Sequence, residues 1–338
     1  MSKPRVVALG NPRFVGDDFL TAFREDFRFS VLEAYTHDEA HALLPRDIAE
    51  HGPIDAFVIR MGTPPYEPFD EALFDMMAPR LKIVASASAG YNEFPVGHLA
   101  HRGVYFCNTV DGVAEATADM AVFLILAVLR NASAAERCAR AGRWRSDPGL
   151  IPARDPSGLT LGIVGLGAIG KYIARKVAAF NMRIVYYNRT RLPADEEATY
   201  AATYAGSLHG LLATADVVSV SCPLNAHTTG LMGRAEFAAM KDGAFFVNTA
   251  RGAVVDEAAL KEALLSGKVA RAAVDVLCNE PDVDPWFLAQ DNVIVQPHLG
   301  GLTDVAYRRA ERECFENIRA YFATGVPHSP VLPLSAEK

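Results

Sequence analysis

The sequence predicts an α/β protein with two domains, each built on a parallel β-sheet. The chain has 338 residues, 50% of them apolar, which suffices for two sizeable cores. Short apolar runs alternate with polar segments that can form helices, as in chains that repeat strand and helix. One stretch, residues 159–190, also carries a glycine-rich turn between an apolar run and a helix-forming segment. These three observations together are typical of parallel sheets covered by helices.

Charge, apolar runs and cysteines exclude several classes of protein. The net charge of −7 argues against a nucleic-acid or anionic-membrane partner. Residues 1–20 lack a long apolar segment, and the longest apolar run, Met120–Leu129, is too short to span a bilayer. The five cysteines are scattered and form no C-x-x-C, so we expect no zinc site or other metal and no disulfide framework. A cytoplasmic protein with reduced thiols fits best.

The first third of the chain predicts a small parallel α/β unit. Its predicted strands are the apolar runs Val6–Leu9, Ala56–Ile59, Ile83–Ala87 and Val104–Cys107. Small residues, Ser88, Ala89 and Gly90, follow the third run, where open α/β sheets bind ligands and backbone N–H groups can hold a carboxylate. A simple strand-to-helix turn fits the same residues equally well.

A long helix is predicted next, from Ala114 to Gly142. Within it, Met120–Leu129 is apolar on every side, so this part must be buried, either in its own subunit or against a second one. Residues 144–157 are rich in Pro, Arg and Asp and predict a loop.

The glycines of residues 159–190 have the spacing G-x-G-x-x-G. Gly165, Gly167 and Gly170 directly follow the apolar run Leu161–Val164 and open a helix-forming segment. The first glycine permits a tight turn, the second lets the backbone approach a pyrophosphate, and the third lets helix and strand pack closely. Backbone N–H groups at a helix N-terminus then hold the phosphates. In this context the motif predicts a dinucleotide site.

The end of the next predicted strand indicates which dinucleotide binds. An NAD-binding chain usually has an acidic residue about 20 positions after the glycines, for the adenosine ribose. Here that position holds Asn188, followed by Arg189 and Thr190. No carboxylate is available to repel a 2′-phosphate, and a guanidinium can bind one in a fork. We therefore expect NADP to be favoured over NAD, although Arg189 could also be a solvated loop residue.

The rest of the chain continues the α/β spacing to about residue 300. Further predicted strands are Val217–Cys222, Ala244–Asn248, Ala272–Leu277 and Val293–Val295. Thr303–Thr324 predicts a helix, and Pro327–Pro333 an extended tail.

Three polar residues each follow one of these predicted strands. In a parallel sheet Arg251, Glu280 and His298 would emerge at the same carboxyl edge as the glycine turn. Such a set suits 2-oxo acid reduction: Arg251 would clamp a carboxylate, and His298 would give a proton to the carbonyl oxygen. Glu280 would hold the imidazole and stabilise its charged form. Singly, each residue has an ordinary structural explanation, and their joint placement favours the catalytic one.

At this point the sequence resembles a known family, the D-isomer-specific 2-hydroxyacid dehydrogenases. The matching motifs are CNTVDGVAEATAD at 107–119, GIVGLGAIG at 162–170, PLNAHTTGLM at 223–232, FVNTARGAVVDEAAL at 246–260, AAVDVLCNEP at 272–281 and QPHLGG at 296–301. The resemblance implies that Arg251 binds substrate, that Glu280 assists, that His298 is the acid/base, and that the 88–90 loop holds the substrate carboxylate. The implied cofactor-binding residues are Gly165, Gly167, Ala168, Ile169, Gly170, Asn188, Arg189, Thr190, Cys222, Pro223, Thr228, Thr249, Ala250, Asp275, Thr117 and His298.

The resemblance also implies an architecture of two Rossmann-like or flavodoxin-like domains. The NAD(P)-binding domain, 108–301, would be inserted into a substrate domain of 1–107 and 302–338, with substrate in a cleft closed by hinge motion. Members are generally dimeric through the long helix, which makes Met120–Leu129 the expected interface. Trp144 could reach a partner's active site, or anchor a loop in its own subunit.

Departures from other branches narrow the expected activity. Glu280 argues against formate dehydrogenase, where Gln is expected, and a phosphoglycerate dehydrogenase with a regulatory tail would be longer. Asn92, Phe94 and the NRT at 188–190 resemble the branch with D-mandelate dehydrogenases, which implies reversible, NADP-favouring reduction of bulky 2-oxo acids. Two alternatives stay open: a glyoxylate/hydroxypyruvate reductase acting on small substrates, and a non-catalytic NAD(P)-sensing protein similar to the corepressor relatives of the family.

Overall fold

The computed structural model describes residues 3–145, 150, 153–332 and 334. Parts of the predicted 144–157 loop and the end of the predicted 327–333 tail lie outside this range. The chain forms two compact units, one of residues 1–114 and 302–338 (the first unit) and one of residues 115–301 (the second unit). The second unit is inserted into the first along the chain. Its N-terminal boundary, predicted at residue 108, lies at residue 115 in the structure.

The secondary structure alternates strands and helices throughout. The strands are β1 Arg5–Leu9, β2 Arg28–Leu32, β3 Ala56–Ile59, β4 Ile83–Ser86, β5 Tyr105–Cys107, β6 Thr160–Val164, β7 Arg183–Tyr187, β8 Ala202–Tyr204, β9 Val217–Val220, β10 Ala244–Asn248, β11 Val269–Val274 and β12 Val293–Val295. The helices are α1 Asp17–Asp26, α2 His37–His51, α3 Glu71–Asp75, α4 Val96–His101, α5 Val110–Arg130, α6 Ala132–Arg140, α7 Ala168–Val177, α8 Ala194–Thr199, α9 Leu208–Thr214, α10 Arg234–Ala239, α11 Glu257–Leu265, α12 Pro285–Ala289 and α13 Asp304–Thr324.

The first unit is built on a five-stranded sheet in the order β2-β1-β3-β4-β5. All of its strand pairs are parallel. The central strands β1, β3 and β4 are buried along their whole length, as expected for a sheet covered on both faces. Gly112 and α13 approach closely, because a Cβ at Gly112 would lie 2.8 Å from the Ala310 backbone.

The second unit is built on a seven-stranded sheet in the order β12-β11-β10-β9-β6-β7-β8. All of its strand pairs are parallel as well. The strand order reverses direction between β6 and β9, which is where open α/β sheets bind ligands, outside the carboxyl ends of the strands. The chain thus has two parallel β-sheets with helices between their strands, and the unit that carries the second sheet is inserted into the first. This confirms the predicted fold class.

The predicted long helix is wrong in one respect, because it is two helices. Asn131 separates α5 from α6 in the left-handed region, with φ 52° and ψ 40°. Asn tolerates this conformation better than most residues because its short polar side chain can bond locally. The apolar stretch Met120–Leu129 is also not buried on every side, since the Phe123 side chain is 54% exposed. Met120 and Leu126, one turn away on either side, are partly exposed.

By length and composition α5 could cross a membrane, but 67% of its most apolar window is buried inside the protein. It is therefore a core helix of a folded protein rather than a membrane span.

Two strands were not predicted, and one was predicted too late in the chain. β2 and β8 are edge strands, and both are partly exposed. β11 was predicted at Ala272–Leu277 but lies at Val269–Val274, because the chain leaves the sheet at Asp275.

A buried carboxyl group lies on α13 in the first unit. Glu311 is 1% exposed, and its Oε2 accepts a hydrogen bond of 2.7 Å from the Phe14 N–H. Burial raises the pKa of Glu311 to about 7, although the N–H groups of Phe14 and Val15 oppose this. A carboxyl whose folded pKa is raised stabilises the fold below its unfolded pKa, and this contribution is lost as pH rises through 7.

Glu311→Gln should therefore gain stability relative to wild type as pH rises from 5 to 8, by roughly 2 to 3 kcal/mol. The amide keeps the acceptor for Phe14 and carries no charge to bury. Urea unfolding at both pH values measures the effect, with Glu25→Gln, at an exposed position on α1, as the control. The same pH dependence in wild type and Glu311→Gln would contradict the prediction.

Candidate active site

The glycine turn joins β6 to α7 in the second unit. Gly165 has φ 103°, and a Cβ there would lie 2.7 Å from the Cys222 nitrogen. A Cβ at Gly170 would lie 2.4 Å from the Gly165 carbonyl oxygen, whereas one at Gly167 would meet nothing within 4 Å. Tight first and third positions and an open second position are what a pyrophosphate-binding turn requires. The residues after Gly167, Ala168 and Ile169, form the first turn of α7.

The end of β7 is tied to this turn. The Asn188 Oδ1 accepts a hydrogen bond of 2.7 Å from the Leu166 N–H. Arg189 and Thr190 follow and are exposed. The next arginine, Arg191, is engaged elsewhere, because its Nε and Nη2 each donate a 2.8 Å bond to the Glu197 carboxylate. Both arginines are exposed, but Arg191 is paired with Glu197, so Arg189 is the candidate for contact with a ligand at this edge.

Loops after β9 and β10 supply the next predicted cofactor residues. Cys222 is partly exposed beside Gly165. The Thr228 Oγ1 donates to the Pro223 carbonyl oxygen at 2.6 Å and accepts from the Asn225 N–H at 2.8 Å, which fixes the first loop.

A buried hydroxyl in the second of these loops tests the fit of a cofactor. Thr249 is buried, and its Oγ1 has no hydrogen-bond partner. Its neighbour Ala250 is held by a 3.0 Å bond from its N–H to the Asn248 Oδ1. An unsatisfied buried hydroxyl is costly without a ligand. This hydroxyl and the open space at Gly167 both fit a bound nicotinamide dinucleotide.

Asp275 holds the loop that carries His298. Its side chain is buried, and its two oxygens each accept a 2.8 Å hydrogen bond, from the Leu299 and Gly300 N–H groups. Its carbonyl oxygen accepts a 2.8 Å bond from the His298 N–H. Thr117 packs on the same loop, 3.3 Å from where a Gly300 Cβ would be. In this structure Asp275 therefore positions the loop.

His298 and Glu280 are in direct contact. The His298 Nδ1 lies 2.7 Å from the Glu280 Oε2, and Glu280 Oε1 accepts a 2.8 Å bond from the Leu277 N–H. Burial acts to raise the pKa of Glu280, but His298, the Leu277 N–H and the charge of Arg251 lower it overall. The carboxylate therefore stays ionised near neutral pH and occupies Nδ1, which leaves Nε2 as the ring nitrogen available for chemistry.

Arg251 lies on the loop between β10 and α11. Its Nη1 donates to the Ala250 carbonyl oxygen at 2.8 Å, and its own carbonyl oxygen accepts a 3.0 Å bond from Asn248 Nδ2. Gly252, next to Arg251, approaches the backbone of Leu277, and Leu277 donates its N–H to Glu280. The loop of Arg251 therefore adjoins the loop of Glu280, which contacts His298.

The predicted substrate loop belongs to the first unit. The Ser88 Oγ donates to the Gly90 carbonyl oxygen at 2.9 Å, and Asn108 Nδ2 donates to the Ala89 carbonyl oxygen at 2.7 Å. The Thr109 N–H donates to the Ser88 carbonyl oxygen at 2.9 Å. All three carbonyl groups are thus satisfied internally, whereas no N–H of residues 88–90 donates to another described residue.

Three residues that support the site were not singled out from the sequence. Asn248 bonds to Ala250 and to Arg251, as described above. At Gly252 a Cβ would lie 2.1 Å from the Leu277 carbonyl carbon, so only glycine lets the two loops approach. A Cβ at Gly300 would lie 2.8 Å from the Asp275 Oδ2, so a larger residue would press on that carboxylate. The glycines were visible as motif letters, but their role depends on contacts across neighbouring strands.

Phe94 and Trp144, which were also singled out from the sequence, differ from each other in burial. Phe94 belongs to the first unit's core, with its ring centroid 4.5 Å from that of Phe69 and 4.8 Å from that of Phe106. Its role is therefore packing. Trp144 is 71% exposed, and much of the loop that follows it lies outside the described residues.

Comparison with known proteins identifies the family. A protein-family model described as "D-isomer specific 2-hydroxyacid dehydrogenase, NAD binding domain" matches residues 122–300 of the chain. The chain belongs to this family. The resemblance predicted from the motifs is confirmed, and the protein is an NAD(P)-dependent oxidoreductase.

Relatives align along nearly the whole chain. It is 53% identical to Dehydrogenase efuE of Hormonema carpetanum over 99% of this chain and 84% of that protein. The holo form of D-mandelate dehydrogenase from Rhodotorula graminis matches with a TM-score of 0.89 and 35% identity over 100% of both chains. An NADPH-dependent glyoxylate/hydroxypyruvate reductase from Sinorhizobium meliloti, solved with NADP and malonate, matches with a TM-score of 0.80 and 32% identity. The match covers 100% of this chain and 99% of the other.

Proposed function

We propose that this enzyme reduces a bulky 2-oxo acid to a D-2-hydroxy acid, reversibly, with NADPH as the preferred reductant. The observation that carries the proposal is the 2.7 Å contact between His298 and Glu280 beside Arg251. The first unit then serves as the substrate domain and the second as the NAD(P)-binding domain.

In reduction His298 is the proton donor. Glu280 holds Nδ1 and stabilises the imidazolium, so the proton leaves from Nε2 to the carbonyl oxygen of the substrate. The loop held by Asp275 fixes the ring in place. A bound dihydronicotinamide would supply the hydride, held by the glycine turn, Thr249 and the other predicted cofactor residues.

The substrate carboxylate is bound by two elements. Arg251 offers a planar pair of N–H donors that suits a carboxylate. The 88–90 loop offers backbone N–H groups. The carbonyl groups of the same loop already accept hydrogen bonds from within the first unit. A bidentate hold by Arg251 on the carboxylate would orient the adjacent carbonyl carbon, which lowers the entropy cost of the reaction.

The proposed preference for NADP rests on the edge after β7. Asn188 is neutral, and Arg189 is exposed beside it. A guanidinium there favours a 2′-phosphate, and the lack of a carboxylate removes a repulsion. The relative from Sinorhizobium meliloti, which was solved with NADP, supports this choice.

Substrate size distinguishes the proposed activity from its alternatives. The likeness to D-mandelate dehydrogenase supports a bulky 2-oxo acid, and the likeness to a glyoxylate/hydroxypyruvate reductase supports the small-substrate alternative. A sensing protein would not need an intact His298–Glu280 pair, so this pair favours an enzyme.

We further propose a cytoplasmic homodimer. All five cysteines are free, as in a reducing compartment. A strip on α5, formed by Met120, Phe123 and Leu126 (the α5 strip), is apolar and partly exposed. A two-fold partner would cover it, and the exposed Trp144 would then reach the partner's active site.

His298→Ala should lower kcat for 2-oxo acid reduction by about 10² to 10⁴ and leave NADPH affinity nearly unchanged. The assay uses a panel from glyoxylate and hydroxypyruvate to aromatic 2-oxo acids, with a higher kcat/KM expected for the bulky ones. His209→Ala removes another His–Glu pair, at 3.2 Å, and serves as the control with unchanged kcat. Near wild-type kcat in His298→Ala would refute the assignment, and no turnover by wild type would favour a sensor.

In the same assay, Glu280→Gln should retain substantial activity but move the pH dependence of reduction to lower pH. Without the neighbouring carboxylate the imidazolium is harder to form, so the proton donor is present only in more acidic solution.

KM should be lower for NADPH than for NADH, and Asn188→Asp with Arg189→Ala should shift the preference toward NADH. A charge-assisted contact contributes about 1.5 to 3 kcal/mol, or roughly 10- to 100-fold. Arg175→Ala removes an exposed guanidinium from the far end of α7 and should not change the ratio. Equal KM values for both cofactors in wild type would contradict the proposal.

Phe123→Glu should convert the dimer to a monomer, because it places a charge in the α5 strip. Sedimentation at micromolar concentration measures the change. Leu265→Glu, at a position 73% exposed at the end of α11, should remain dimeric. A stable wild-type monomer would show that the α5 strip is not an interface.

A further inference from the structure

We propose a binding site for a divalent ion of the zinc class in the first unit, formed by His37, His41 and Asp70. His37 and His41 are one turn apart on α2, and Asp70 precedes α3. The expectation of no zinc site rested on the cysteines, whereas this site uses imidazole and carboxylate ligands. It is independent of the proposed reaction.

The three ligand atoms converge on one point. The Asp70 Oδ2 lies 3.3 Å from the His37 Nε2 and 3.1 Å from the His41 Nε2. All three ligand atoms lie within 4.8 Å of one another. Zinc binds His nitrogen and Asp oxygen at about 2.0 to 2.2 Å in tetrahedral geometry, which separates neighbouring ligands by about 3.3 to 3.6 Å. The distances to Asp70 are close to this range.

Hydrogen bonding alone does not account for the arrangement. The His41 Nε2 is buried and has no hydrogen-bond partner, although it lies close to Asp70. An aligned bond would satisfy it, and a metal ion would do so through the lone pair of a neutral imidazole.

A second histidine cluster in the same unit shows the ordinary alternative. The His98 Nε2 bonds to Asp75 at 2.8 Å, and its Nδ1 faces Glu71 at 3.4 Å. These carboxylates lie on different nitrogens of one ring, so they do not converge on a shared point. His98 is therefore the matched control.

Charges and neighbouring groups around the site suit a cation. Asp38 lies 3.4 Å from the His37 Nδ1, where a carboxylate can fix the ring that binds metal. Glu39 adds a further negative charge in the first turn of α2. These carboxylates offset the positive end of the helix dipole.

An ion at this site would link α2 to the segment before α3, which in turn contacts the loop that follows β4. Phe69, next to Asp70, donates its N–H to the Glu93 carbonyl oxygen at 3.2 Å and stacks on Phe94. Binding would thus stabilise the segment around residues 69–94 against local opening.

The experiment measures Zn²⁺ binding to the tag-free, chelator-treated full chain by calorimetry, with thermal unfolding in parallel and without cofactor or substrate. Wild type and His98→Ala should each bind one Zn²⁺ per chain at micromolar concentration, with the same affinity. Zn²⁺ should raise the Tm of both proteins. His41→Ala and Asp70→Asn should lose this binding and the Tm shift. Asp70→Asn is informative because Asn caps a helix as well as Asp does, so the 2.8 Å bond from the Leu73 N–H to Oδ1 can persist.

Two outcomes would overturn the proposal. One is no Zn²⁺ bound by wild type at micromolar concentration. The other is the same stoichiometry and affinity in wild type and in Asp70→Asn, with both proteins folded by circular dichroism. Since neither readout uses turnover, an inactive enzyme would not affect the result.

Discussion

A run of hydrogen bonds past the ends of three strands holds the proposed catalytic residues in place. Asn248, at the end of β10, bonds to the loop of Arg251 and accepts the N–H of Asp275 at 2.9 Å. Asp275, at the end of β11, accepts the N–H of His298 and both N–H groups that follow it. The parallel sheet is in effect continued by backbone and side-chain hydrogen bonds after its ladder stops. Each catalytic loop is therefore fixed to its neighbour, and the geometry of the site follows from the register of the sheet.

This arrangement has a cost that the bonds must offset. Asp275 is 1% exposed, and burying a charge is expensive unless it is hydrogen-bonded. His298 has φ 55°, a left-handed conformation that costs roughly 1 to 2 kcal/mol outside glycine. Charge-assisted bonds to two N–H groups contribute about 1.5 to 3 kcal/mol each. The strained backbone of His298 is thus held by the Asp275 carbonyl oxygen and, through the next two N–H groups, by the Asp275 carboxylate. Glu280 orients the ring through Nδ1, which leaves less to be ordered in the reaction.

The central strands, and the positions of Arg251, Glu280 and His298 after strand ends, could be predicted because the physics is local. A strand buried on both faces must be a short apolar run, and a polar residue after it must emerge at the edge. Edge strands such as β2 are free of that requirement, so their sequences carry a weaker signal. The break at Asn131 depends on one residue in a left-handed conformation, which the apolar pattern does not show.

The supporting residues of the site were harder to predict for a different reason. The demand for glycine at Gly252 comes from the backbone at Leu277 on the next loop, and the bond from Asp275 to Gly300 joins two loops. These are contacts between positions far apart in the chain. Without knowledge of strand order, the sequence cannot indicate which residues meet.

Asn188 supports the glycine turn through its hydrogen bond, whereas its effect on the choice of cofactor comes from its lack of charge. Its Oδ1 accepts the Leu166 N–H at 2.7 Å and so ties β7 to the glycine turn. Aspartate has the same shape and could accept the same bond, but it would bring a negative charge to the edge where the proposed 2′-phosphate lies. The amide satisfies the turn and removes that charge. Discrimination then depends on Arg189, which lies outside the hydrogen bonds of the turn and can act on the ligand without altering the fold.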